Sequence, residues 1–209
     1  MQAARGTPVD HRDSGPDESR RPPWLAAPRI WVAFVAVAAV LYAGDQVTKQ
    51  LAVVHLTDRP DVQVVGEVLQ LHLTYNPGAA FSLGTRFTVG LTVLAIVATL
   101  VVLWLSRRLA DRVWAVALGC LLAGVGGNLT DRLLREPEAF RGHVVDFLML
   151  PNWPVFNVAD ICINAGVGLI LLQVLRGVAL DGTRVGKPAQ DTADAQDKAD
   201  AEDDADGTE

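Results

Sequence analysis

The stretch "FTVGLTVLAIVATLVVLWL", Phe87–Leu105, decides the fold. It is nineteen residues long and carries no charge. A chain crosses the hydrocarbon of a bilayer with about 20 apolar residues, so this stretch reads as a membrane span. Three more segments follow the same rule. Ile30 to about His55 has fifteen uncharged residues, then "DQVTKQ" and "LAVVHL". "VWAVALGCLLAGVGGNL", Val113–Leu129, is extended by the next turn to about residue 133. Val155–Leu175 is interrupted only by Asp160. The fold class is therefore an all-α membrane protein with helices at about 30–55, 87–105, 113–133 and 155–175.

Composition agrees. Half of the 209 residues are hydrophobic, too many for a soluble domain of ordinary make-up. The formal charge of −6 belongs to one tail. Asp191–Glu209 holds nine acids and one lysine, a net of −8, which leaves +2 for the rest. Residues 1–28 are polar and Pro-rich and read as a disordered extension, not a cleavable signal peptide. Residues 178–209 read as a disordered acidic tail. The domain of interest is 29–177. No nucleic-acid partner is indicated, and the chain is read as a monomer. Cys120 and Cys162 both lie in apolar runs and read as small buried residues.

Basic residues give the orientation. Arg20, Arg21 and Arg29 precede the first span, and Arg107, Arg108 and Arg112 join the second to the third. Arg176, Arg184 and Lys187 follow the fourth. All fall on one side of a four-span protein, so that side and both termini are expected in the cytoplasm. Residues 56–86 and 133–154 then lie outside. In the first of these loops "LQLHLTY", Leu69–Tyr75, alternates like a strand, and "NPG", Asn76–Gly78, is a turn. A small extracytoplasmic β-sheet between helices one and two is expected.

Polar residues inside spans are costly, and each calls for an account. Asp45 and Lys49 stand at i, i+4, an order that favours an ion pair, with Lys49 reaching toward water near the helix end. Asn128, Asp131 and Arg132 share a face of the third helix with position 135, and Asp131 beside Arg132 reads as a structural pair. Ala115, Gly119, Ala123 and Gly127 form a small-residue stripe that permits close helix packing. Asn157, Asp160 and Asn164 stand at i, i+3 and i+7 on the fourth helix. Asp146, in "HVVDFL", precedes Asp160 by fourteen residues and two prolines, so the chain can fold back and unite the two carboxylates.

Two carboxylates in a poorly hydrated place share one proton, which suits hydrolysis without a covalent intermediate. Rival readings are a helix cap for Asp160 and a metal site of His143, Asp146 and a third carboxylate. No H-E-x-x-H occurs, and His143 alone is near. A proton-coupled transporter is a further reading, disfavoured because the polar residues gather toward one face of the membrane.

"DQVTK" (45–49), "YNPGAAFSL" (75–83), "GGNLTDR" (126–132), "VVDF" (144–147) and "FNVADICINAG" (156–166) together resemble the signal peptidase II, or lipoprotein signal peptidase, family. The resemblance covers about residues 30–176. It implies an aspartic endopeptidase of the bacterial cytoplasmic membrane. It also implies a prolipoprotein substrate carrying a diacylglyceryl group, membrane lipids as surroundings and no cofactor or metal. The family's catalytic pair falls on Asp146 and Asp160. Asp45, Asn76, Asn128, Asp131, Arg132 and Asn157 are implied as supports, and the sheet corresponds to the family's outer cradle. Lys49 and Asn164 join the supports from the spacing arguments above.

Overall fold

The computed structural model describes residues 28–78 and 88–184. The expected N-terminal extension up to residue 27, residues 79–87 and the tail from residue 185 lie outside the described residues. Among the described residues four helices are long and apolar enough to cross a membrane. They are α1 (Pro28–Leu56), α2 (Thr88–Leu105), α3 (Arg112–Leu134) and α4 (Val158–Leu175). Three strands accompany them, β1 (Val62–Val65), β2 (Leu69–Asn76) and β3 (Val144–Met149). The protein is a multi-pass membrane protein with a small antiparallel sheet.

Helix α3 is the centre of the bundle. Half of its apolar span is buried, against 17–22% for the other three. The small-residue stripe explains why. A Cβ on Gly119 would meet Val37 Cγ1 at 2.9 Å, and one on Gly127 would run into the carboxylate of Asp45. On a second face, a Cβ on Gly124 would strike the Ala159 carbonyl of α4. With no solvent to drive helices together inside a bilayer, such close approach is what holds them.

The helix ends follow from caps. Asp111 accepts from the backbone N–H groups of Val113 and Trp114 and starts α3. Asn157 starts α4 in a capping box with Asp160. The fourth helix therefore begins at Val158 and not at residue 155. Val155–Asn157 stays extended, because Phe156 exchanges backbone hydrogen bonds with Leu148 of β3.

The sheet corrects an expectation. It is not confined to the loop between the first two helices. Its order is β1-β2-β3, and β3 comes from the second loop. The register sets Asp146 opposite Thr74 and Val144 opposite Asn76, with an irregularity between Leu71 and Thr74. On one face Phe147 packs with Ala52 and Leu56 of α1 and with Leu71 and Leu73.

At the far end of the bundle Phe34, Val102, Leu109, Trp114, Ala115 and Leu118 form an apolar core. Residues 178–184, assigned to the tail on composition, are tied to that end. Trp114 Nε1 donates to the Val178 carbonyl at 3.0 Å, and Ala110 N donates to Leu180 O at 2.9 Å.

Candidate active site

Asp146 sits on β3 and is buried. Residue 160 is the third position of α4. The hairpin-like return Leu148–Phe156 turns the chain from one to the other, and Asn157 joins them. Its Nδ2 donates to Asp146 Oδ1 at 2.6 Å, and its backbone N–H donates to Asp160 Oδ2 at 3.2 Å. The two carboxylates line one cleft of about 680 Å3 together with Asn76, Phe156, Ile161 and Asn164. The fold-back that the sequence permitted is present.

Each carboxylate accepts from amides on both oxygens. Asn76 Nδ2 donates to Asp146 Oδ2 at 2.9 Å, and Asn128 Nδ2 donates to Asp160 Oδ1 at 2.9 Å. Burial pushes the Asp146 carboxyl up to about 6. The Asn76 amide works against that rise, and the nearby Asp160 charge adds to it. A carboxyl so placed keeps a proton that an ordinary aspartate gives up, which is the property an acid-base residue needs.

Behind the pair lies a second cluster. Lys49 is fully buried, and its Nζ stands 2.9 Å from Asp45 Oδ2, Asp131 Oδ2 and Asn128 Oδ1. This overturns the expectation that Lys49 reaches toward water. Its i, i+4 pairing with Asp45 is present, but α3 supplies a second carboxylate that closes the site over it. The pairing expected between Asp131 and Arg132 is replaced as well. Adjacent residues on a helix do not face each other. Asp131 instead holds Lys49, Arg135 Nε at 2.5 Å and the backbone N–H of Val145 at 3.3 Å. Asp45 Oδ1 accepts from Ala159 N at 2.9 Å, tying α1 to the start of α4.

Arg132 is 8% exposed and lies near Asp131, Asp146 and Asp160. Its Nη1 is buried without a hydrogen-bond partner among the described residues. Asn164 differs from the other candidates. It is exposed, and its Nδ2 donates to the Asp160 backbone carbonyl at 2.9 Å, not to a carboxylate.

Two contributors were not singled out from sequence. Gln46 donates to Asp45 Oδ2 at 3.0 Å and to Gly127 O at 3.2 Å. Arg135 shares the polar face of α3, and the i, i+4 rule that pairs Asp45 with Lys49 finds Asp131 for it. Among the described residues no three His, Cys, Asp or Glu side chains are grouped to hold a metal ion.

Fold and site define a class, a multi-pass membrane protein with a paired-carboxylate cleft beside a small sheet. The family profile described as "Signal peptidase (SPase) II" matches residues 37–176. The lipoprotein signal peptidase of Leifsonia xyli subsp. xyli is 45% identical over 154 residues, 73% of this chain and 71% of that one. That of Rhodococcus jostii is 41% identical over 177 residues, 85% of this chain and 89% of the relative. A bacterial membrane enzyme solved by the in meso method superposes with a TM-score of 0.60 at 25% identity, over 75% of this chain and 93% of that one. The chain belongs to the signal peptidase II family and is a peptidase.

Proposed function

We propose that the chain is an aspartic endopeptidase that removes signal peptides from diacylglyceryl-modified prolipoproteins, with Asp146 and Asp160 as its catalytic pair. The observation that carries this reading is the Asn157 bridge, which holds both carboxylates on one cleft. One carboxylate, ionised, takes a proton from water as the water attacks the scissile carbonyl. The other, protonated, polarises that carbonyl and later delivers a proton to the leaving nitrogen. The pair titrates as a unit. Asn76 and the free edge of Arg132 are suited to hold substrate carbonyls, and Asp45, Asn128, Asp131 and Asn157 fix the pair.

The basic residues Arg29, Arg107, Arg108, Arg112 and Arg176 stand at the helix ends away from the sheet. By the positive-inside rule that end faces the cytoplasm, which puts both termini inside and the cleft at the outer surface. A lipid-anchored substrate reaches it sideways from the bilayer, its acyl chains staying in apolar surroundings. The chain acts as a monomer and needs no cofactor.

Purified protein in lipid, given a diacylglyceryl-modified precursor, should cleave it in a gel-shift assay. Asp146→Asn and Asp160→Asn should each lower the rate by at least about a thousandfold while the protein stays folded. Undiminished cleavage by either variant would sink the pair, and inhibition by a chelator would restore a metal reading. The pH profile adds a second check. If Asp146 supplies the proton, kcat/KM falls as pH rises through about 6, because the free enzyme then loses that proton. A profile still flat two units above would remove Asp146 from the acid role.

A further inference from the structure

We infer that Lys49 is a positioning residue for the reaction: it fixes the orientation of the Asn128 amide so that Asn128 gives an N–H to Asp160 and holds that carboxylate in its place on the cleft. The inference rests on the reading of Asp146 and Asp160 as the catalytic pair. It starts from a pattern shared by three asparagines. An amide presents its N–H to a carboxylate only if its oxygen is held the other way round. The oxygen of Asn76 is held by the backbone N–H of Gly78 at 2.8 Å, and its nitrogen faces Asp146. That of Asn157 is held by the backbone N–H of Asp160 at 3.0 Å, and its nitrogen again faces Asp146. Both are local devices, an Asx turn and a helix cap.

Asn128 has no such device. It lies inside α3, where neighbouring backbone N–H groups are committed to the helix. Its oxygen is held instead by Lys49 Nζ, 2.9 Å away, with Asn157 Nδ2 at 3.1 Å. A flipped amide would set an NH2 against an ammonium and against another amide nitrogen. It would also turn its oxygen toward the Asp160 carboxylate. Lys49 makes that arrangement untenable. Its own place is secured by Asp45 on α1 and Asp131 on α3, so the lysine cannot swing away. Asp160 thereby receives two N–H donors, one set by the cap and one by Lys49.

The charged groups facing this point are Lys49 and Asp45 from α1, Asp131 and Arg132 from α3 and Asp146 from β3. Removing Lys49 alone strands Asp45, so the informative variant is neutral overall, Asp45→Asn with Lys49→Met. Asn128→Ala is its companion and leaves the Asp45–Lys49–Asp131 cluster intact.

Cleavage of a diacylglyceryl-modified peptide by each variant in lipid nanodiscs would be followed as kcat and KM separately. A displaced carboxylate slows the chemical step and leaves substrate binding intact, so both variants should lose at least about tenfold in kcat with KM kept within about threefold. The triple combination should lose no more than either, since Lys49 acts through Asn128. Losses that multiply in the triple variant overturn the inference, as does a kcat kept by either variant. Should the charge-neutral pair fail to fold, Asn128→Ala decides alone: an unchanged kcat refutes the role of Asn128 and with it that of Lys49. Activity surviving in Asp146→Asn or Asp160→Asn would strike the catalytic pair itself, a different failure from these.

Discussion

At the end of the bundle away from the sheet, α1, α2 and α3 meet through Phe34, Val102, Leu109, Trp114 and Leu118. At the other end α1, α3 and α4 meet through Asp45, Lys49, Asn128, Asp131 and Asp160. Both contacts are buried, and α1 and α3 serve in both. The apolar contact is held by close packing, because lipid tails are as apolar as the side chains and leaving them costs little. The polar contact is held by mutual satisfaction. Asp45, Lys49, Asp131 and Asp160 each have at least one partner on a different element. The lesson concerns precision. Packed apolar surfaces tolerate small slips, whereas a lysine shared by two carboxylates and one amide fixes one face of α1 against one face of α3.

Lys49→Met alone should break the polar end hardest. It leaves Asp45 and Asp131 buried with too little positive charge, and the loss of a buried partner costs about 3–5 kcal/mol. Thermal unfolding in lipid or mild detergent would read this. Adding Asp45→Asn should restore part of the loss by removing the stranded charge. A single variant as stable as the parent would show that the cluster contributes nothing to holding the helices.

Phe34→Ala tests the apolar end with a smaller effect. In a soluble core the change costs about 3–5 kcal/mol, part of it for transferring the ring from water. That part is missing in a bilayer, so about 1–3 kcal/mol of lost packing remains. Cleavage per folded molecule should be nearly unchanged, since no residue of that core touches the cleft. A loss of activity beyond about tenfold in folded protein would mean the two ends are coupled, and the comparison would fail.

How much of this could be read from the chain depended on whether the signal was local. The four spans were legible because length and apolar content are properties of a segment by itself. Strand β2 was legible from its alternation. Strands β1 and β3 were not, since "VQVV" and "VVDFLM" show too little period-two pattern to be told from other apolar runs. In the site, the i, i+3, i+7 stripe placed Asn157, Asp160 and Asn164, and the i, i+4 rule paired Asp45 with Lys49. Nothing local announced that Asp131 would reach Lys49 across the bundle. Spacing alone therefore points the lysine toward water and Asp131 toward its neighbour Arg132. The motif order of a known family supplied the long-range information that spacing could not.

Asn164 is where the local pattern says least about role, and it gives the smallest expected effect. It shares the helical stripe with Asn157 and Asp160, yet the two asparagines are not alike. Asn157 is buried and bonded to Asp146, Asn128 and the backbone of Asp160, while Asn164 is exposed and, among the described residues, bonds back only to the Asp160 carbonyl one turn earlier. A bond of that kind on an exposed helix face is worth a few tenths of a kcal/mol, up to about 1. Asn164→Ala should therefore leave stability close to the parent and change kcat/KM by less than about threefold. Asn157→Ala, which removes donors from the carboxylate pair, should abolish cleavage. A tenfold rise in KM for Asn164→Ala with kcat kept would give the residue a different part. It lines the cleft beside Ile161, and the exposed amide would then be a contact for the substrate as it arrives from the bilayer, not a brace of the carboxylates.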